Sequence, residues 1–344
     1  MKLLIGKGMV NKVIEGKTKI LTPASDDGSL VSITTKDSLT GNDGLLQENL
    51  PVAIEKTEQT CNVFRLLEEH GIPTAFVKQT SETSFLATHC EMLPFECVAR
   101  RIPYGSYLKR HPGIQPPTAD TIAGIGGGGA SGRWKEPMVE FFHKHAIIID
   151  KGKPNEIDGA PTTSSTLISE AEAREKYMKD GEWTREVYTD PLISFNQHND
   201  KWRLHPAKKS FSLMFYLMEI DPLETMKVMT DIKYKLLLPC FQALEDAFAK
   251  FDITLVDLKV EVGYREVDSD AAPETFKGYD IVAAAKKELV IADVIDNDSW
   301  RIWPGGDPTK QLDKQSFREG EESSAVVSKY QTVTHYTKQF SETT

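Results

Sequence analysis

One stretch of this chain alternates carboxylates and a cation in a pattern that suits a metal and a phosphate. In Leu255-Val256-Asp257-Leu258-Lys259-Val260-Glu261-Val262-Gly263, apolar Val256, Leu258, Val260 and Val262 alternate with Asp257, Lys259 and Glu261. A strand repeats every two residues, so the two sets occupy opposite faces. A lysine between two carboxylates on one face is equipped for a metal–phosphate group. The same alternation also serves the solvated face of an antiparallel sheet. Leu289-Val290-Ile291-Ala292-Asp293-Val294 is the expected hairpin partner, with Asp293 sharing a face with Ile291 and Ile295. A carboxylate in so apolar a run is unusual, because an unpaired buried charge is costly. Glu261 and Asp293, on adjacent strands, are placed to converge on Mg2+, which takes oxygen ligands alongside nucleotide phosphates.

Asp296-Asn297-Asp298-Ser299-Trp300-Arg301 comes directly after that strand. These residue types suit a polar ligand, and Asp, Asn and Ser equally build ordinary turns. Arg301 lies between Trp300 and Trp303, where a rigidly held guanidinium can grip a phosphate or carboxylate with two N–H groups. Arg100-Arg101 and Lys109-Arg110 flank Tyr104-Gly105-Ser106. Glycine permits close backbone approach to an anion and the cations supply charge; a basic surface loop is the plainer alternative. Glu15-Gly16-Lys17-Thr18-Lys19 resembles a phosphate loop, but Asn11 stands where G-x-x-x-x-G-K-[ST] needs its first glycine. The residues beyond Lys19 are strand-like rather than helical, so a glycine turn with two lysines remains. His143 and His145 form H-x-H without further spaced ligands. Cys61, Cys90, Cys97 and Cys240 make no C-x-x-C and read as reduced core thiols.

The elements that must carry these residues are short strands at 13–14, 20–21 and 30–33, a turn at Asp26-Asp27-Gly28, and a polar loop over 40–44. A helix over 51–70 comes next, with Cys61, Phe64 and Leu67 on one stripe and Gly71 and Pro73 as its stop. Strands are expected at 74–77 and 95–98. The run from 113 to 190, with Pro116-Pro117, four consecutive glycines at 126–129 and a Thr/Ser tract at 162–165, suggests long loops or an insertion. Residues 222–251 carry the helical stripe Val228, Ile232, Leu236, Cys240, Leu244, Phe248 and Phe251, which Pro239 should kink or split.

With 344 residues and 40% hydrophobic content the chain can bury a full core, as two domains or one lobed domain. No apolar run approaches the ~20 residues of a membrane helix, and the N-terminal patch is too short for a signal core. The net charge of −10 argues against a broad nucleic-acid footprint while leaving room for a local basic pocket.

Taken together, six segments resemble the SAICAR synthetase (phosphoribosylaminoimidazole-succinocarboxamide synthase) family. They are Glu15–Lys19, Glu91–Arg100, Gly105–Arg110, Asp257–Gly263, Ala292–Trp303 and Asp313–Arg318. Each is weak alone; six in register are specific, and the D-N-D-S-W-R-x-W form is most similar to the synthetase part of the animal bifunctional enzyme. The resemblance implies an α+β, two-lobed fold. A β-rich N-lobe over 1–94 would be followed by a larger, ATP-grasp-related lobe over 95–344, with insertions at about 117–189 and 265–287. ATP would lie between the lobes. It implies an ATP-dependent ligase of purine biosynthesis that joins L-aspartate to carboxyaminoimidazole ribonucleotide (CAIR) through an acyl phosphate.

On that resemblance Lys259, Glu261 and Asp293 would be catalytic, the two carboxylates holding Mg2+. Gly16, Lys17 and Lys19 would meet the ATP phosphates; Met92, Leu93 and Glu96 would line the adenine pocket, with Lys144 a further ATP contact. Arg100, Ser106, Asp257, Lys259, Arg301 and Arg318 would grip CAIR. Thr40, Asn42 and Asp43 would close on aspartate or the CAIR carboxylate, and Asp190 would add an acidic contact. Phe141-Phe142-His143-Lys144 and Asp190-Pro191-Leu192-Ile193 match the two ends of a segment that the family keeps together, so 145–189 would be inserted. The implied protein is cytoplasmic and monofunctional, binds small molecules rather than nucleic acid or membrane, and is compatible with a homo-oligomer. Two rivals are a kinase-like phosphotransferase, against which the absence of H-R-D and D-F-G counts, and a non-catalytic nucleotide-binding protein of the same fold.

Overall fold

The computed structural model describes residues 13–41, 46–123, 132–154, 161–196, 201–206, 218–220, 223–267 and 287–341. The chain forms an α+β structure that divides into two compact units. One is continuous, Pro94–Thr230; the other is discontinuous, joining Lys2–Leu93 to Asp231–Thr344. The sequence expectation kept 95–344 in one lobe; the contacts instead group the C-terminal segment with the N-terminal one.

The discontinuous unit starts with β1 (Ile14–Glu15), β2 (Lys19–Pro23), β3 (Leu30–Thr35), β4 (Leu39–Gly41), β5 (Leu46–Glu48), α1 (Ala53–Glu69), β6 (Phe76–Ser81), β7 (Ser84–Thr88) and β8 (Cys90–Met92). An antiparallel sheet runs in the order β1-β2-β3-β7-β6, while β4 and β5 form a separate ribbon. In β3, buried Val31, Ile33 and Thr35 alternate with half-buried neighbours, the pattern of a strand covered on one face. The cover is α1, which buries Cys61, Phe64 and Leu67 as its periodicity predicts. Phe64, Phe76 and Phe85 meet with ring centroids 5.8–6.2 Å apart, each ring stabilising the core by roughly 1.5–3 kcal/mol. Gly71, at φ 70°, ends the helix in a left-handed turn that lets Ile72 N–H reach the Leu67 carbonyl at 2.9 Å.

The continuous unit holds β9 (Phe95–Arg100), α2 (Ser106–Arg110), α3 (Ala119–Ala123), β10 (Met138–His143), β11 (His145–Pro154), β12 (Pro161–Ser169), α4 (Glu170–Tyr177), β13 (Met178–Lys179), β14 (Glu182–Trp183), β15 (Glu186–Tyr188), β16 (Leu192–Asn196), β17 (Lys201–His205) and β18 (Met218–Ile220). Strands β18-β17-β16-β10-β9 make its antiparallel sheet, with Val98, Phe142 and Leu192 packed together. Of the stretch expected as long loops or an insertion, the described residues include a second sheet, β12-β11-β15. The Thr/Ser tract reads as loop by composition, yet Ser164, Ser165 and Thr166 pair with Asp150, Ile149 and Ile148. The apolar strand beside it supplies the burial, and Ala146, Ile148 and Ala173 form its core with Ile168, Tyr177, Trp183 and Val187 around them.

The C-terminal segment returns through α5 (Leu223–Asp231), a π-helical turn (Ile232–Leu237), α6 (Leu238–Ala249), β19 (Ile253–Glu266), β20 (Lys287–Ala292), β21 (Trp300–Pro304), α7 (Gln315–Arg318) and α8 (Ser323–Lys338). At Pro239 the helical run changes type without a break: a π-helical turn ends at Leu237 and α6 starts at Leu238, which puts Pro239 in the first turn of α6. The π turn just before it absorbs the missing hydrogen bond and the ring's clash with the preceding turn. The 14-residue β19 pairs with β21 over its first half and with β20 over its second, and β8 pairs with its far end. Among the described residues, no helix is long and apolar enough to cross a membrane.

Candidate active site

The β1–β2 turn closes with Gly16 N–H donating to the Lys19 carbonyl at 2.8 Å. Lys17 is exposed on that turn. Lys19, the first residue of β2, forms an ion pair with Asp293, the two side chains being 22% and 19% exposed. Asp293 does not continue the strand as expected: β20 ends at Ala292, and Asp293 turns left-handed at φ 65°. Aspartate is among the few side chains that adopt this conformation routinely. Glu261, half-buried, pairs in register with Ala292, so both carboxylates lie at the same end of the β19–β20 ladder.

Among the described residues, no group of three or more His, Cys, Asp or Glu could hold a metal by itself. Two carboxylates match instead the mode of Mg2+, which is commonly held by one or two protein carboxylates, substrate phosphates and water. The donor set of Glu261 and Asp293 therefore fits that ion. Across the far half of β19, Leu93 N–H donates to the Val262 carbonyl at 2.9 Å. Gly263 makes room for β8: a Cβ there would lie 3.0 Å from Cys90 Cβ, the Glu91 carbonyl and Met92 Sδ. Met92 is 42% exposed and Leu93 is buried.

Nearer the start of β19, buried Asp257 accepts from Arg301 Nη1 at 2.5 Å, while Lys259 is half-buried and donates its N–H to the Ser299 carbonyl at 2.7 Å. Asp313 accepts from Ile302 N–H at 3.2 Å and Gln315 N–H at 2.8 Å. Burial pushes its carboxyl up to about 6, against the pull of Arg301. Arg318 reaches Gln315 at 3.4 Å; burial and the nearby Arg301 charge lower its affinity for the proton.

The turn leading into Arg301 is held by a node that sequence reading missed. Asp298 accepts from Lys56 Nζ at 2.9 Å, Lys314 Nζ at 3.0 Å and the Tyr330 hydroxyl at 2.7 Å. Burial alone would raise the Asp298 carboxyl, but the two ammonium groups hold it far below the usual range. Asp296 is pushed up by the same burial. The available signal was a lysine on the buried stripe of α1, three residues after Ala53 and four before Thr60.

In the continuous unit Arg100 is buried. Its Nε donates to Glu140 Oε2 at 2.6 Å and its Nη2 to Ser106 Oγ at 3.2 Å. Gly105, at φ 61° and ψ −128°, starts α2 in a conformation open to glycine. Arg110, buried, also donates to Glu140 and lies over the rings of Tyr107 and Phe142. Glu140, a lone carboxylate in the apolar run Met138–His143, was not singled out from sequence. Glu96 is half-buried on β9, and Lys144 N–H donates to the Pro94 carbonyl at 2.9 Å. Asp190 is left-handed at φ 47°.

The structure thus joins Lys19 to Asp293, Asp257 to Arg301 and Arg100 to Ser106. Thr40 lies in β4; Asn42, Asp43 and most of the glycine-rich loop lie outside the described residues.

A family profile described as SAICAR synthetase matches residues 12–175 and 189–336. The chain is 32% identical over 320 residues to multifunctional protein ADE2 of Gallus gallus, covering 92% of this chain and 54% of that protein. It is likewise 32% identical over 305 residues to a phosphoribosylaminoimidazole-succinocarboxamide synthase of Chloroflexus aurantiacus, covering 88% of this chain and 84% of that one. The chain spans about half the length of the bifunctional relatives. A solved type-2 SAICAR synthetase in complex with ADP has the same fold, with TM-score 0.55, 22% identity and coverage of 95% and 97%.

Proposed function

Because the chain belongs to the SAICAR synthetase family, we propose that it joins L-aspartate to CAIR at the expense of ATP, giving SAICAR, ADP and phosphate in purine biosynthesis. A carboxylate resists attack by an amine. Transfer of the ATP γ-phosphoryl group to the CAIR carboxylate gives an acyl phosphate and releases ADP. The aspartate amine then attacks the acyl carbon, the C–N bond forms, phosphate departs with the C–O bonding pair, and the nitrogen loses a proton. Such a sequence relies on positioning and charge neutralisation.

Lys17, Lys19 and the Gly16 backbone meet the ATP phosphates, while Met92, Leu93 and Glu96 line the base and Lys144 adds a contact. Glu261 and Asp293 would hold Mg2+, which when bound would supply neutralising charge for the transferred phosphoryl group. Lys259 faces the CAIR carboxylate from between Asp257 and Glu261. Arg100, Ser106, Asp257, Arg301 and Arg318 hold the rest of CAIR. Thr40, Asn42 and Asp43 meet aspartate or the CAIR carboxylate. The protein works in the cytoplasm on small molecules and has no nucleic-acid partner.

The observation that carries this reading is the Lys19–Asp293 ion pair, which joins the lysine-bearing turn to a candidate metal carboxylate within one unit. The test is ADP release from Mg-ATP with CAIR and L-aspartate, each omitted in turn. Release that needs all three, with SAICAR formed, supports the reading. Release that does not need CAIR, release with all three present but no SAICAR formed, or phosphoryl transfer to a hydroxyl acceptor refutes it.

A further inference from the structure

Two buried arginines share one buried carboxylate beside Ser106. Glu140 accepts the Arg100 Nε–H through Oε2 and the Arg110 Nη2–H through Oε1. Its side chain is 7% exposed, and those of Arg100 and Arg110 are 5% and 0% exposed. The three residues come from β9, α2 and β10, so the carboxylate ties a strand, its antiparallel neighbour (Glu140 pairs with Val98) and the following helix. Arg110 is clamped from the other side, its guanidinium 5.9 Å from the Tyr107 ring centroid and 5.5 Å from that of Phe142.

A guanidinium is a planar fork, so fixing its Nε edge fixes where its remaining N–H groups point. Glu140 takes the Nε edge of Arg100, and Nη2 is thereby aimed at Ser106 Oγ, 3.2 Å away. Arg100 Nη1 lies 3.5 Å from the Tyr104 carbonyl, a weaker constraint by distance. Arg110 cannot aim Arg100 directly, and it acts by holding the second oxygen of Glu140.

We infer that Glu140 is a positioning residue, buttressed by Arg110, that aims the Arg100 guanidinium at the anionic group of the ribonucleotide substrate. This rests on the proposed role of Arg100 in binding CAIR. A group that orients a ground-state anchor changes affinity more than turnover. Glu140→Gln keeps shape but removes the charge and one acceptor. The expected result is a KM for CAIR raised on the order of tenfold or more. The same change leaves kcat and the KM values for ATP and aspartate within about threefold.

A merely structural carboxylate would move all of these with the melting temperature, so the deciding measurement is a double-mutant cycle. If Glu140 acts through Arg100, then Arg100→Met combined with Glu140→Gln binds CAIR no more weakly than Arg100→Met alone. Additive losses in the cycle overturn the inference. Should Glu140→Gln not fold, Arg110→Lys, which keeps the charge but loses the fork, enters the same cycle with the same two outcomes. If the wild-type protein neither binds nor turns over CAIR, the proposed function fails. The aiming is then read from the Arg100 Nε–H resonance by NMR. Exchange protection that vanishes in Glu140→Leu, which leaves no acceptor for that N–H, upholds it, and protection that persists in that variant refutes it.

Discussion

Lys56→Met should destabilise the protein by about 3 kcal/mol, through one buried ion pair. Lys56 is 3% exposed and its ammonium lies 2.9 Å from Asp298 Oδ2. Removing one partner of a buried pair costs about 3–5 kcal/mol, because the other charge stays behind. Lys314 and Tyr330 continue to serve Asp298, which places the loss near the lower limit. At roughly 2–4 °C per kcal/mol, the melting temperature should fall by about 6–12 °C. Tyr330→Phe, which removes one neutral donor to the same carboxylate, should cost less, about 1.5–3 kcal/mol.

The pH dependence is the sharper check. Asp298 is depressed in the folded state, so its contribution is present above the unfolded aspartate value, about 3.9, and is lost as pH falls further. Burial works against the Lys56 ammonium, yet Asp298 and Asp296 outweigh it and raise the group. Its contribution is therefore present below about 10.4 and lost as pH rises through the folded value. The stability gap between wild type and Lys56→Met should be a plateau from about pH 4 to 10 that narrows at both ends. Urea unfolding across that range measures it. A gap below about 1 kcal/mol at pH 7, or one that widens in acid, would refute the assignment of Lys56 as counter-ion.

The site yields three further expectations. Glu261→Gln should abolish turnover at saturating Mg2+ while the circular dichroism spectrum and melting temperature stay close to wild type; retained turnover would exclude Glu261 as a metal ligand. Gly263→Val should press on Cys90, Glu91 and Met92, each at 3.0 Å from the new Cβ, and raise the KM for ATP about tenfold or more with the KM for CAIR little changed. Asp313, pushed up to about 6 by burial, is costly to ionise in the folded state, so its share of stability should grow as pH falls from about 7 towards 4. Asp313→Asn should flatten that limb, as pH-dependent denaturation would record.

The chemistry-bearing strand was legible because its alternation is local: Val256, Leu258, Val260 and Val262 are all buried, as a period of two requires. The α1 stripe was legible for the same reason. What sequence could not supply was pairing across distance. Lys56 meets Asp298 across 242 positions and Arg100 meets Glu140 across 40, and no periodicity links such residues. Asp293 was found but misplaced, because its left-handed turn depends on where β20 stops pairing. The 162–165 tract reads as loop because Ser and Thr look polar, and its strand form comes from pairing with the distant Ile148–Asp150 segment while Ser164 and Thr166 stay exposed.

The cations proposed to grip anionic ligands already rest on carboxylates: Lys19 on Asp293, Arg301 on Asp257, Arg100 on Glu140. In a chain of net charge −10 each of these cations thus keeps a counter-charge of its own. The pairs differ in what a ligand can do to them. Glu140 and Asp257 have side chains only 7% and 6% exposed, and stripping a cation from such a carboxylate would strand a buried charge. On the proposed reading those pairs persist, and each arginine meets the ligand with its other N–H groups. Lys19 and Asp293, about one fifth exposed, can each be rehydrated, so their pairing is worth far less. On the proposed reading that pair is the one a ligand can separate, Lys19 then serving a phosphate and Asp293 a metal. Each arginine–carboxylate pair is thus a rigid anchor within its own unit, while a ligand can separate the Lys19–Asp293 pair without stranding a buried charge.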